Sequence, residues 1–429
     1  MIDKLINCLR ERGIDIWQIR ENGISSAEAF LNGSKLEMLR LSDLSSFNLK
    51  IFKPAASGEK DLGIAQAEIS AGATNDELIR AVDQLAATAD QARVPWFPMP
   101  DSGTRDFRIK TATDADLLSV LETVSGLLKE TAASEDFFVN HAEIFSTQSL
   151  VSHRDSSGSF LQQNIGSGIL ELAAEVCSRT GTECQIYLTF SGNDKDFIRN
   201  TVCEQIKASR AKIQAVPTPA GLKCPVIITR PAVTRFMDYF ARRADAACNY
   251  GSSQALRPGD SIQGQDPRGD LLDIELIPCL ENSSYSSWFD QDGVILKKTR
   301  IIEQGKLKNY WGSAQYCHYL GLEPVGRIEN ILVSGGKHPL SVLRQPPCLE
   351  VHEFSAFFII PGSGYFQGEI RLGWYSDGKS RSAVTGGSVS GRISDVCGNM
   401  LFSSEILQSG CFRGPVAVRL DPVSIGGGG

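Results

Sequence analysis

A mixed α+β fold is predicted from three features of the chain: an N-terminal α/β domain over residues 1–218 and a β-rich C-terminal domain over 219–429. Helical and β periodicities alternate through the first half. The stretch "VPTPAGLKCP" (216–225), rich in Pro and Gly, then interrupts the pattern and marks the boundary. Beyond it, short alternating runs are punctuated by Gly and Ser, as in antiparallel sheet. At 429 residues the chain also exceeds what one ordinary core organises.

The elements follow in order. "MIDKLINCLRERG" is an amphipathic helix with Ile2, Leu5, Ile6 and Leu9 on one side. It lacks the long apolar region and cleavage site of a signal peptide. "DIWQIR" reads as a strand. "TNDELIRAVDQLAATA" is a helix whose Thr74 and Glu77 have capping-box spacing. "DADLLSVLETVSGLLKE" is another, with Leu117, Val120, Leu121, Val124 and Leu128 inward. "FFVNHAEIF", "ILELAAEV" and "CQIYLTF" read as strands. A long helix is expected from about Asp194 to Ala215, with Ile198, Val202, Ile206 and Ile213 on one face. After the boundary, "VIIT" is a buried strand. It leads into "VTRFMDYFARRA", where Val233, Phe236, Met237, Phe240, Ala241 and Ala244 form one apolar stripe. In "GEIRLGWYSDGKSRSAV", Asp377-Gly378 suits a type I′ hairpin turn. The terminal "GGGG" has no side chains to pack and is expected to be disordered.

Composition narrows the function classes. A net charge of −7 argues against direct nucleic-acid binding. No run of 18 apolar residues exists, so no membrane helix is expected. The eleven cysteines are scattered, without C-x-x-C, which fits reduced thiols and a cytoplasmic location.

The candidate chemistry is sparse. In "FDQDG", Asp290 and Asp292 bracket Gln291 and precede Gly293. Two carboxylates so spaced suit a hard cation or an acid pair. A β-turn with the carboxylates capping backbone N–H groups accounts for the same residues, and Gly293 then needs φ > 0. The histidines are His141, His153, His318, His338 and His352, and no pair has metal-helix spacing. His352-Glu353 lies in an alternating β run, where Glu350 and His352 share a face. A weak metal site and an ordinary surface histidine are both open there. Cys317 and His318 are sequence neighbours and form no dyad. "GGSVSG" (386–391) and "GSGYFQG" (362–368) read as tight turns rather than phosphate cradles.

The order of features in the second half resembles the TldD/PmbA family. "GLKCPVIITRPAVTRFMDYFARRADAACNYGSSQAL" is similar to the family's strand, helix and G-x-S segment. "FDQDG" resembles its F-D-x-E-G, with Asp292 in place of the Glu. "TRIIEQGKLKNYW", "GRIENILVSGGKHPLSVL" and the Gly-rich "SGYFQGEIRLG" region follow in family order. The resemblance implies a curved, mostly antiparallel C-terminal sheet. It also implies one of two kinds of member. The TldD kind is a metalloprotease with H-E-x-x-x-H on the helix after this strand; the TldE/PmbA kind lacks those ligands and serves as partner subunit. "VTRFMDYFARRA" carries no histidine, and none occurs between His153 and His318. The resemblance therefore implies a TldE-like chain with no catalytic, cofactor or metal residue of its own, paired with a TldD-like protease subunit or with itself, and handling peptide substrate. The family also carries the label of DNA gyrase modulator. A standalone peptide-binding protein, and a divergent hydrolase using Asp290, Glu350 and His352, are the alternatives. Phe354, Phe357, Phe358, Tyr365 and Phe366 are open to two readings, an exposed aromatic interface in the C-terminal sheet and a buried core.

Overall fold

The computed structural model describes residues 1–428 apart from 34, 56–59, 101–105, 111–115, 133–136, 177–181, 192–194 and 230. The elements of the first half are α1 (Ile2–Glu11), β1 (Ile16–Asn32), β2 (Lys35–Pro54), β3 (Asp61–Ser70), α2 (Asn75–Gln91), β4 (Arg93–Pro95), β5 (Phe107–Lys110), α3 (Leu117–Ala132), β6 (Phe137–Asp155), β7 (Phe160–Val176), β8 (Thr182–Phe190) and α4 (Lys195–Lys212). The strands form one sheet in the order β4-β3-β2-β1-β6-β7-β5, with β8 also on β7. Every pair is antiparallel except β5 with β7.

Two helix pairs cover this sheet with apolar stripes. Leu5 and Leu9 of α1 join Leu78 and Val82 of α2 against Ile19, Leu49 and Ile51. Val120, Leu121, Val124 and Leu128 of α3 join Ile198, Val202 and Ile206 of α4 against Ile144, Leu170 and Ile186. The capping box of α2 is present: the Glu77 N–H donates to Thr74 Oγ1 and the Thr74 N–H to Glu77 Oε2. Because strand side chains alternate, Gln18, Arg20, Asn48, Lys50 and Gln66 lie on the opposite face from Ile19, Leu49 and Ile51. That face is polar.

The second half begins with β9 (Val216–Pro217), β10 (Val226–Thr229) and α5 (Ala232–Arg243). Nine strands form one sheet and six another. Most pairs are antiparallel. Three are parallel: β10 with Cys348–Ile359, β9 with Arg381–Thr385, and Asn330–Val333 with Phe412–Pro415. Helix α5 buries its stripe in the largest core, where Phe236, Met237 and Phe240 are fully enclosed beside Val226, Ile228, Phe366 and Val351.

Several expectations need correction. The onset near Asp194 lies outside the described residues. Helix α4 ends at Lys212, and Ile213 beyond it is exposed rather than on the buried face. Asp377-Gly378 does not form a two-residue turn. Ser376 pairs with Arg381, leaving a four-residue loop in which Asp377 Oδ1 accepts from the N–H groups of Lys379 and Ser380. Only Gly378 of the two has positive φ, whereas type I′ requires it at both. The terminal glycines are ordered as far as described. Ser424–Gly426 pairs with Ser388–Arg392, and the Gly428 N–H donates to the Thr218 carbonyl. A Cβ on Gly427 would stand 2.7 Å from Ala220, so absence of a side chain is what permits the approach. The aromatic cluster is core, not interface: Phe357 and Phe366 are buried, Phe354 packs on them, and only Phe358 is exposed.

The largest exposed apolar strand lies elsewhere. On β2, Leu36, Met38, Leu39, Leu41 and Leu44 are 47–65% exposed. Strand β3 pairs with β2 only over Ser46–Pro54, so among the described residues the outer edge of Lys35–Ser45 carries no strand.

Candidate functional site

Helix α5 is fixed on every side. Its apolar face is core, and Arg235 Nη1 donates to the Phe357 carbonyl at 2.6 Å. On the outer side Asp238 and Arg242 pair at 2.6 Å. Trp311 Nε1 donates to the Ala241 carbonyl, tying its last turn to the following chain. The buried face of this helix offers a metal ion no donors: the inward positions are Ala, Val, Phe and Met, and none of these ligates a hard or borderline cation through nitrogen or oxygen. Among the described residues, no group of three or more His, Cys, Asp and Glu is placed to hold a metal ion.

Glu350 and His352 do share a face of the Cys348–Ile359 strand, and both line a cavity of about 310 Å³ with Lys207, Thr229 and Trp374. Glu350 is fully occupied: Arg344 grips it bidentately, at 2.8 and 2.5 Å, and Arg381 donates at 3.0 Å. A carboxylate so compensated is an anchor, not a base. His352 and Glu204 also line an adjoining cleft of about 630 Å³, where β7, β8 and α4 face Glu353, Phe354 and Arg371. Exposed His141 reaches this cleft as well. Glu353 pairs with Lys212 at 2.6 Å, joining α4 to the second-half sheet. His318 stacks edge-on against Trp96 beside buried Cys317, and His338 is exposed.

Asp290 belongs to a different network. Its Oδ1 accepts from the N–H groups of Asp292 (2.9 Å) and Val294 (3.0 Å), and its Oδ2 from that of Arg327 (3.0 Å). This is the capped turn the sequence predicts, with Gly293 at φ +80. Burial, then the neighbouring Asp292 charge, push Asp290 up to about 6 against the pull of those three N–H bonds. Asp292 does not cap. It pairs with Lys50 of β2 at 2.9 Å, while its carbonyl accepts from Gln18 Nε2. Arg20 Nη1 reaches the Asp290 carbonyl at 3.1 Å.

The turn thus closes over the polar face of the first sheet and leaves a cavity of about 380 Å³. His153 of β6, 1% exposed, lines it and lies against the turn: a Cβ on residue 293 would stand 2.4 Å from His153 Nε2. Burial lowers His153 to about 4, so the ring is neutral at pH 7. Among the described residues neither ring nitrogen has a hydrogen-bond partner, nor has Gln18 Oε1. The sequence hid this site because its parts lie on β1, β2, β3, β6 and a turn some 270 residues after β1. Its one local signal was alternation: "QIRE" and "NLK" place polar residues where a buried sheet face would be apolar.

The comparisons with known proteins agree on the setting. Residues 221–427 match the model of the PmbA/TldA metallopeptidase C-terminal domain. No curated protein matches the chain by sequence. Among solved structures, TldE from Thermococcus kodakarensis superposes with a TM-score of 0.77 at 15% identity, over 99% of this chain and 100% of that one. A protein described as a modulator of DNA gyrase, from Thermotoga maritima MSB8, gives 0.77 at 15%, covering 99% of each chain. Another so described, from Bacteroides thetaiotaomicron VPI-5482, gives 0.79 at 12%, over 99% and 98%. At such identities the likeness establishes the fold alone, and the family match rests on the second half, where residues 221–427 are similar to the PmbA/TldA metallopeptidase C-terminal domain.

Proposed function

We propose that this chain is the non-catalytic, TldE-like subunit of a TldD/TldE-type metalloprotease that acts on peptides or unfolded proteins. The observation that carries the reading is α5. The helix that holds H-E-x-x-x-H in the protease kind here presents Phe236, Met237 and Phe240 to a closed core. Regaining ligands would require charged or polar groups at fully buried positions, at a cost of several kcal/mol each.

Pairing is supported by β2. Its free edge and exposed leucines are what an unprotected sheet edge presents to another chain. A stable interface needs on the order of 800 Å² per partner, so the β2 edge forms the apolar centre of a larger contact. Expressed alone, the chain pairs with itself through the same edge. The cytoplasm is the proposed compartment, since none of the ten described cysteines is in a disulfide. Two domains, residues 1–218 and 219–429, are proposed; the two halves build separate sheets, with β9 (Val216–Pro217) just before the boundary already paired into the second-half sheet.

The test is affinity purification of the tagged chain from its own host, with elemental analysis of the isolated subunit. A co-purifying chain that bears H-E-x-x-x-H, together with far less than one zinc per tagged chain, is the expected result. A metal-loaded chain that hydrolyses peptides alone would overturn the reading. The standalone peptide-binding alternative draws on the 630 Å³ cleft; it gains if the purified chain is monomeric and unaccompanied.

A further inference from the structure

The cavity under the Asp290–Gly293 turn has unmet polar atoms of a particular kind. Lys50 has its counter-ion in Asp292. Among the described residues the hydrogen-bond partners of half-buried Arg20 are two neutral oxygens, Asn22 Oδ1 at 3.4 Å and the Asp290 carbonyl at 3.1 Å, while its guanidinium lies 5.8 Å from the Phe289 ring and feels the Asp290 charge. A guanidinium has five N–H donors, so most of its capacity is unspent, and its fork matches a carboxylate. Gln18 spends its Nε2 on the Asp292 carbonyl, which leaves the buried Oε1 in want of a donor. His153 is enclosed, with both ring nitrogens unbonded, and in its neutral form offers one N–H and one lone pair. Asn48 and Gln66 complete the lining with amides. A buried polar atom without a partner costs about 1–3 kcal/mol, and Gln18 and His153, which carry three of them, both line this space.

We propose that this cavity binds an amino-acid carboxylate together with its adjoining N–H: a free α-amino acid or the C-terminal residue of a short peptide. The carboxylate meets Arg20, the N–H meets Gln18 Oε1 or the acceptor nitrogen of His153, and the ring N–H of His153 finds a ligand oxygen. A proton-free anion such as sulfate would satisfy Arg20 but leave the Gln18 acceptor unmet, and phosphate, which carries an O–H, lacks the carboxylate and N–H pairing of an amino acid. The volume, about 380 Å³, lies in the lower part of the range of small-molecule sites. The site joins strands of the first half to a turn of the second, so its occupant fastens the two together. The inference stands apart from the partner-subunit reading and holds for a monomer equally.

Calorimetric titration of the full chain provides the test, with L-alanine, N-acetyl-L-alanine, acetate, L-alaninamide and inorganic phosphate as probes. Saturable binding of L-alanine or N-acetyl-L-alanine is expected, with acetate at least about tenfold weaker and alaninamide, which lacks the carboxylate, weaker still. Preference for L-alanine marks a free amino acid, and preference for the acetylated form marks a peptide end. Arg20→Lys should weaken binding about tenfold or more, because a point charge replaces a bidentate fork. Asn48→Asp should do the same by supplying Arg20 with an internal carboxylate. Should either variant misfold, the wild-type chain still decides through the His153 ring resonances, which should move on saturation. The proposal fails if neither L-alanine nor its acetyl derivative binds at up to about 10 mM, beyond the millimolar Kd of a weak complex. It also fails if acetate or phosphate binds as tightly as they do, or if the His153 resonances stay fixed.

Discussion

Helix α5 and the Asp290–Gly293 turn are the two segments that carry the family resemblance most plainly, and physically they are opposites. In α5 each inward side chain is apolar and enclosed, and its polar side chains are paired at the rim. At the turn the backbone is capped, yet the sheet face beneath it keeps polar atoms without partners. One segment has become pure architecture. The other concentrates the remaining polar chemistry at the junction of the two halves. The contrast teaches that one segment of a fold can be closed into core while unpartnered polar atoms are concentrated on another face.

The contrast can be broken most forcefully at α5. Phe240→Ala removes a fully buried ring from the largest core and should cost about 3–5 kcal/mol, the range for such truncations. Urea unfolding should show a lowered midpoint with an unchanged slope. A loss below about 1 kcal/mol would mean the α5 face is not the closed core described.

Gly293→Val strikes the turn. Its φ of +80 disfavours a β-branched residue, and the new Cβ would overlap His153 Nε2 at 2.4 Å. Backbone strain of about 1–2 kcal/mol adds to overpacking of about 1–3 kcal/mol. Gly293→Ala should retain the larger share of this loss, because both causes begin at Cβ. Thermal melts of the two variants check this, and an alanine variant as stable as wild type would remove the close approach of His153.

The third experiment is pH dependence, and here the two buried groups oppose each other. Asp290 is held at about 6 in the folded chain against an ordinary 3.8, so its protonated form is favoured by folding. Its contribution is present below about 4 and lost as pH rises through 6. His153 is held at about 4 against 6.5, so folding disfavours its charged form. Its contribution is present above 6.5 and lost as pH falls toward 4. In wild type the two slopes largely cancel between pH 4 and 6. His153→Gln leaves the Asp290 slope alone, and stability should then fall by about 2–3 kcal/mol from pH 4 to 6, since each tenfold change in proton affinity on folding is worth about 1.4 kcal/mol. A flat profile in that variant would show that Asp290 is not held above its ordinary range in the folded chain.

What the sequence disclosed and what it concealed follow from range. The α2 cap was legible because Thr74 and Glu77 are three residues apart. The α5 stripe was legible because its period is local. The fold class and the capping role of Asp290 were visible for the same reason. Strand β2 escaped notice because its apolar residues Leu36, Met38, Leu39 and Leu41 fall on both faces of a strand that is exposed at its tip, so no alternation emerges. The Phe354–Phe366 aromatics stay open between surface and core in the sequence because sequence alone does not count the layers above a strand; α5 is the layer that covers them. His153 looked like any isolated histidine. Its meaning depends on Gly293, 140 residues away by number, and only the tertiary fold brings them together.

The smallest effect is expected at Asp292. Its carboxylate is partly exposed and makes one 2.9 Å contact, to Lys50, whose side chain is 22% exposed. Ion pairs so placed contribute about 0.2–1 kcal/mol. The turn itself does not depend on that carboxylate: Asp290 supplies the caps, Gly293 supplies the positive φ, and Gln18 holds residue 292 by its backbone carbonyl. Asp292→Asn should therefore shift the melting temperature by only about 1–3 °C, and added salt should narrow the difference. A double-mutant cycle with Lys50→Met should return a coupling within that same range. A coupling of about 3 kcal/mol or more would mean that the pair is as enclosed as α5, and the two regions would no longer differ in kind.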